Sequence, residues 1–156
     1  MGIALFGFNP FKEMPMNSSN AFDTLKSLRI LLVDDDELIR DSLSLAFKSR
    51  GCHLMAHESA EEALETLRAE HFDIIISDFK LPGIDGLKFF KSAMISSPDS
   101  INILITAYRE KRIVSEAFRS GVHDFIEKPF SPRKLISAVH YLTTNRHVKP
   151  ALGESA

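Results

Sequence analysis

The sequence predicts an α/β domain of (βα)5 type, a doubly wound parallel sheet covered on both faces by helices. Three observations predict it. Short apolar runs alternate with stretches of helical periodicity, and strands that alternate with helices of about 10–15 residues form right-handed crossovers and a parallel sheet. The run Ile74-Ile75-Ile76-Ser77 lacks polar alternation, as a strand buried on both faces does. Acidic residues follow two of the runs directly: Asp34, Asp35 and Asp36 after Ile30–Val33, and Asp78 after Ile74–Ser77. In an open parallel sheet such residues gather at the carboxyl ends of the strands, where functional groups collect.

The elements follow in order from Leu28. Arg29–Val33 reads as the first strand, and Glu37–Arg50 as a helix with Leu38, Leu43, Ala46 and Phe47 inward and Gly51 as its stop. Cys52–His57 reads as the second strand. Ser59 caps a helix over Ala60–Glu70, with Glu62 placed as its capping-box partner. Phe72–Ser77 is the third strand, followed by a loop from Asp78 to Asp85 that contains Pro82-Gly83. Gly86–Ser96 is helical, with Leu87, Phe90 and Met94 inward. Ile101–Ile105 is the fourth strand, Glu110–Ser120 a helix ended by Gly121, and His123–Ile126 a short fifth strand. Ser131 caps a last helix, with Pro132 at its first position, that runs to about Asn145 and turns Leu135, Ile136, Val139 and Leu142 inward.

This places residues 28–146 in one domain, preceded by an N-terminal extension (1–27) and followed by a short tail (147–156). Pro10, Pro15 and Asn17-Ser18-Ser19-Asn20 break regular structure in the extension, whose Phe6, Phe8, Phe11 and Phe22 are available to pack on the domain or on a second copy. A net charge of −2 offers no bulk attraction to nucleic acid, so no direct nucleic-acid contact is expected. The charge is uneven: residues 1–107 carry 10 Lys/Arg and 16 Asp/Glu, residues 108–156 carry 9 and 5. An acidic pocket and a basic face can therefore share one domain. Cys52 is the single cysteine, which excludes an internal disulfide and suits a reducing compartment. No apolar run approaches the ~18 residues of a membrane span, and the start lacks the basic residues of a signal peptide. The expected location is cytoplasmic, without membrane contact.

Carboxylates crowded at one sheet edge repel each other by about 4 kcal/mol per pair at ~4 Å and an effective dielectric near 20. A divalent cation is the usual compensation, so the cluster points to a magnesium-dependent phosphate site. Thr106 and Lys128 fall at the ends of the fourth and fifth strands and complete the convergence. Asp36 also reads as the cap of the first helix, where acids favour the positive end of the helix dipole.

Four stretches together resemble the signatures of the receiver domain of two-component response regulators: Leu31-Leu32-Val33-Asp34-Asp35-Asp36, Ser77-Asp78-Phe79-Lys80-Leu81-Pro82-Gly83-Ile84-Asp85-Gly86, Thr106-Ala107 and Asp124-Phe125-Ile126-Glu127-Lys128-Pro129-Phe130. They occur in the right order, with spacings of 43, 28 and 22 residues between Asp35, Asp78, Thr106 and Lys128. The texture is most similar to receivers of sigma-54-activator type regulators. The resemblance implies the flavodoxin-like receiver fold. It also implies that Asp78 is a phosphoacceptor, served by a sensor histidine kinase or a histidine phosphotransfer protein. Mg²⁺, or Mn²⁺, would be held by Asp34, Asp35, Asp78 and the backbone carbonyl of Lys80. Thr106 and Lys128 would contact the phosphoryl oxygens, and Lys128-Pro129 would be a cis peptide.

The chemistry of the residues agrees: a carboxylate is a usable nucleophile toward phosphorus, and transfer needs mainly positioning and charge neutralisation. By the same resemblance Thr106 and Phe125 form a switch that reports to a face made of the fourth helix, fifth strand and fifth helix. Phe125 replaces the frequent tyrosine and brings no hydroxyl. Arg109, Lys111, Arg112, Arg119, Arg133 and Lys134 lie in that region and suit a second copy or a downstream protein. The resemblance also implies that Lys80 and Tyr108 would tune hydrolysis of the phosphoryl group, which is expected to be slow. Only about ten residues follow the last helix, so no helix-turn-helix or ATPase module is expected there. The alternatives are a phosphorylation-independent binding module of receiver type and an aspartate-nucleophile phosphatase. The latter normally carries an acid two residues after its nucleophile, where this chain has Lys80, so no enzymatic turnover of outside substrates is expected.

Overall fold

The computed structural model describes residues 25–49, 51–107 and 111–145. Five parallel strands and five helices alternate among these residues: β1 (Arg29–Val33), α1 (Glu37–Lys48), β2 (His53–His57), α2 (Ala60–Ala69), β3 (Ile74–Asp78), α3 (Gly86–Ser96), β4 (Ile101–Thr106), α4 (Lys111–Arg119), β5 (Asp124–Glu127) and α5 (Pro132–Thr144). The strands form one sheet in the order β2-β1-β3-β4-β5. The reversal of strand order between β1 and β3 is the crevice in which open α/β sheets build their sites.

Strand periodicity divides the core in two. Ile30, Leu32, Ile74, Ile76, Ile103 and Ile105 pack with Leu43 and Phe47 of α1 and with Leu135, Ile136 and Val139 of α5. Leu31, Val33, Ile75 and Leu104 pack on the other face with Ala63 and Leu67 of α2, Phe89, Phe90 and Ala93 of α3, and Ala117 of α4. Leu25, in the segment assigned to the N-terminal extension, is completely buried in the first of these clusters.

Several element edges differ from the sequence reading by one or two residues. β3 starts at Ile74 and includes Asp78, β4 includes Thr106, and β5 covers Asp124–Glu127. Two inward assignments are corrected. Leu38 is 79% exposed: five residues before Leu43, it lies about 140° away around a helix of 3.6 residues per turn, and Ile39 takes the inward place. Met94 is 42% exposed, because Phe89, Phe90 and Ala93 fill the buried face and Met94 lies at its margin against Gly121. Gly121 stands at φ +88°, a left-handed position that suits glycine and ends α4 as expected. The capping box at α2 is half formed: Ser59 Oγ accepts from Glu62 N at 3.3 Å, while the Glu62 carboxylate lies 3.3 Å from His57 Nδ1. Ser131 Oγ accepts from Lys134 N at 3.2 Å and caps α5 as read. Among the described residues no helix is long and apolar enough to cross a membrane. Phe6, Phe8, Phe11, Phe22, Tyr108 and Arg109 lie outside the described residues.

Candidate phosphoacceptor site

Strand register assembles the site. Val33 pairs with Ser77, so the next positions, Asp34 and Asp78, emerge side by side at the carboxyl ends of the two central strands. Asp34 is fully buried and Asp78 is 5% exposed, whereas Asp35 is exposed. One carboxylate oxygen from each of Asp34, Asp35 and Asp78 lies within 4.8 Å of the others. Asp36 turns away and caps α1, its Oδ1 accepting from Leu38 N at 2.9 Å and Ile39 N at 3.4 Å. The same turn sends Asp36 N to Asp34 Oδ1 at 2.9 Å.

Lys128 reaches in from the loop after β5. Its Nζ lies 3.4 Å from Asp34 Oδ2 and 3.3 Å from Asp78 Oδ2. Its backbone N donates to Thr106 O at 2.9 Å, and the Lys128-Pro129 peptide is cis. Thr106 ends β4 with 1% exposure; its neighbour Ala107 reaches the surface of the site. Asp35, Asp78, Lys80, Pro82, Ala107 and Lys128 line an open cavity of about 420 Å³. Phe125 is half-buried, pairs with Leu104 in the sheet and packs with the second core cluster. Lys111, Arg112, Arg119, Arg133 and Lys134 are exposed on α4 and the first turn of α5.

Charge is out of balance here. Burial pushes the Asp78 carboxyl up to about 6, the Asp34 charge pushes the same way, and Lys128 opposes both. Burial also raises Asp34, against the Asp36 amide and Lys128. For Lys128, burial acts downward, but Asp34 and Asp78 outweigh it and the ammonium is held charged. Asp34 Oδ2 is buried and its one close polar neighbour among the described residues is Lys128 Nζ, at ion-pair distance. An orphaned carboxylate oxygen beside two more carboxylates is an all-oxygen donor set for a hard divalent cation.

The family model for the response regulator receiver domain matches residues 30–140. The chain belongs to that family. Among curated relatives, this receiver is 32% identical over 119 residues to the C4-dicarboxylate transport transcriptional regulatory protein DctD of Rhizobium meliloti (strain 1021), covering 76% of this chain and 26% of that protein. It is 37% identical over 111 residues to the response regulator protein FleR of Pseudomonas aeruginosa, covering 71% of this chain and 24% of that one. The chain thus spans about a quarter of the length of these two relatives. Among solved structures, a CheY-like receiver domain protein from Methanospirillum hungatei JF-1 superposes with a TM-score of 0.73 at 28% identity, covering 77% of this chain and 96% of that one. The BeF3-activated DrrB receiver domain gives 0.68 at 26%, covering 75% and 97%. These matches confirm the flavodoxin-like receiver fold.

Three residues of this receiver's site were not legible in the sequence. Arg40 Nη1 donates to the backbone carbonyl of Asp34 at 2.9 Å and holds the β1–α1 loop. Gly86 N donates to Phe79 O at 2.8 Å, and a β-carbon on Gly86 would collide with the Asp78 carbonyl oxygen, so α3 approaches the end of β3 only through a glycine. Glu61 of α2 accepts from Ile84 N at 3.4 Å and reaches the Pro82-Gly83 loop. The Asp85-Gly86 pair signalled a helix start; nothing in it signalled the carbonyl behind it.

Proposed function

We propose that the protein is a phosphorylation-dependent signalling switch that accepts a phosphoryl group on Asp78. The observation that carries this reading is the convergence of the buried Asp34 and Asp78 on Lys128 Nζ, 3.4 and 3.3 Å from it, where Asp78 and Lys128 line an open cavity. An Asp78 carboxylate oxygen attacks phosphorus, forming a P–O bond as the P–N bond to the donor's phosphohistidine breaks. The histidine nitrogen leaves with the electron pair. Asp34, Asp35, Asp78 and the Lys80 carbonyl would hold Mg²⁺ or Mn²⁺, which supplies neutralisation of the developing negative charge. Lys128 is already placed on Asp78 and pairs with the phosphoryl oxygens; Thr106 donates its hydroxyl to them.

The Asp78 carboxyl near 6 must be ionised to attack, so acceptance falls off below that pH. Phosphorylation adds charge at the ends of β3 and β4. Thr106 and Phe125, two residues apart in register across β4 and β5, pass the change to the α4–β5–α5 face. The exposed Lys111, Arg112, Arg119, Arg133 and Lys134 make that face suited to acids of a second copy or a downstream protein. The donor is a sensor histidine kinase or histidine phosphotransfer protein, the compartment is cytoplasmic, and the protein turns over no outside substrate. The DrrB receiver, similar to this chain, is activated by BeF3, which supports beryllofluoride as a phosphoryl mimic here. Incubation with acetyl phosphate and Mg²⁺ should add one phosphoryl group to the wild-type chain and none to Asp78→Asn. Equal labelling of both would reject Asp78 as acceptor.

A further inference from the structure

The layer formed by α1 and α5 carries an apolar groove of about 570 Å³. Leu38, Ile39 and Ser42 line it from α1, and Pro129, Phe130 and Pro132 line it from the loop after β5 and the start of α5. Leu38 is 79% exposed, and Ser42 and Pro129 are exposed beside it, so these walls are open to an occupant. Ala107 and Lys128 line both this groove and the phosphoacceptor cavity. An occupant of the groove therefore stands at the rim of that cavity.

The same layer receives the start of the chain. Leu25 is wholly buried in the core cluster against which Ile39 and Phe130 pack, and its carbonyl accepts from Leu28 N at 2.9 Å. The sequence ahead of it holds Phe6, Phe8 and Phe11 within six positions, large apolar side chains whose burial is favourable. Fourteen positions separate Phe11 from Leu25, a reach of at most about 46 Å. β1, which leads from the Leu25 end of the sheet to the groove end, spans roughly 16 Å. In an extended segment Phe6 and Phe8 face one side, and Pro10 biases Asn9 toward extension. A short tether holds its segment at a millimolar effective concentration, which favours the chain's own aromatics over those of a second copy at micromolar concentration.

We propose that the Phe6–Phe11 segment seats in this groove of its own chain and guards the phosphoacceptor cavity. The seating is independent of the phosphoacceptor reading; the guarding rests on it.

The test places a nitroxide on Gly2→Cys in the full chain, with Cys52→Ala to leave one thiol, and reads amide NMR intensities without phosphodonor or divalent cation. Intensity should be lost at Ile39, Ser42 and Phe130. Phe6→Ser, Phe8→Ser and Phe11→Ser together, or Leu38→Glu alone, should restore it, with the remaining amide pattern unchanged as the check on folding. Ile95→Glu, at an apolar position 86% exposed on α3, should leave the loss in place, as should Asp78→Asn. Loss centred elsewhere, or loss that survives Leu38→Glu, would overturn the seating. Loss in isotope-labelled copies mixed with nitroxide-bearing, unlabelled ones would put a second copy in the groove and overturn it equally. Acetyl phosphate with Mg²⁺ should label the triple phenylalanine variant and Leu38→Glu at least about threefold faster than wild type, the ratio for a closed form holding about two thirds of the molecules. Equal rates would overturn the guarding. No label on any of these chains would fail the phosphoacceptor reading and the guarding with it, while the nitroxide result decides the seating.

Discussion

The two ends of β1 handle charge in opposite ways. At its amino end, Arg29 and Glu70 form a 2.6 Å pair in which each partner keeps over a third of its side-chain surface in water. At its carboxyl end, Asp34 and Asp78 are buried, Asp35 stands beside them, and one ammonium serves both buried groups. The first arrangement is satisfied and screened. The second is short of positive charge where solvent cannot supply it, and it raises the Asp78 carboxyl to about 6. A fold gains no stability from such a deficit. On the proposed function, it would gain a place where a dication and then a phosphoryl group alter the energy balance strongly. The imbalance, more than the number of acids, separates the candidate site from the ordinary surface of the same strand.

Removing the Lys128 ammonium should have the largest effect on this contrast. Lys128→Met leaves two buried carboxylates facing each other and is expected to lower stability by about 2–4 kcal/mol at pH 8. The loss should shrink at pH 5, where Asp78 takes up a proton; urea melts at both pH values measure it.

Neutralising Asp78 should act in the other direction. Its carboxyl is raised in the folded state, so the folded protein binds more protons than the unfolded chain between about pH 4 and 6, and stability falls as pH rises through that window. Asp78→Asn should therefore stabilise the protein by about 1–3 kcal/mol at pH 8 and by nothing below about pH 4. A variant less stable than wild type at pH 8 would remove the deficit from the account.

A dication should sharpen the contrast further. Millimolar Mg²⁺ is expected to raise wild-type stability at pH 7.5 by about 1–2 kcal/mol through mass action, and to leave Asp35→Asn combined with Asp78→Asn unmoved in thermal melts. The smallest effect belongs to the amino end. Glu70→Ala should cost no more than about 1 kcal/mol, a loss that fades in high salt.

Much of this was written plainly in the chain. Apolar runs and the Ser59 and Ser131 caps announce the elements, and the acids sit directly behind two of those runs. Asp34, Asp78 and Lys128 could be brought together on paper because strand ends of a parallel sheet share an edge. What escaped were angles and close approaches through space. Leu38 seemed inward by hydrophobicity, yet its helical phase carries it to solvent. Met94 met a buried face already filled by Phe89 and Phe90. Arg40 and Gly86 act on the backbone carbonyls of Asp34 and Asp78, partners that bear no side-chain signature.

The most direct measurement is a crystal structure of the chain grown with Mg²⁺ and beryllofluoride. A fluoroberyllate bonded to a carboxylate oxygen of Asp78, with a dication on Asp34 and Asp35 and Lys128 turned onto the fluorines, is the predicted result. Asp78 left bare under saturating beryllofluoride, or the adduct on another residue, would contradict it.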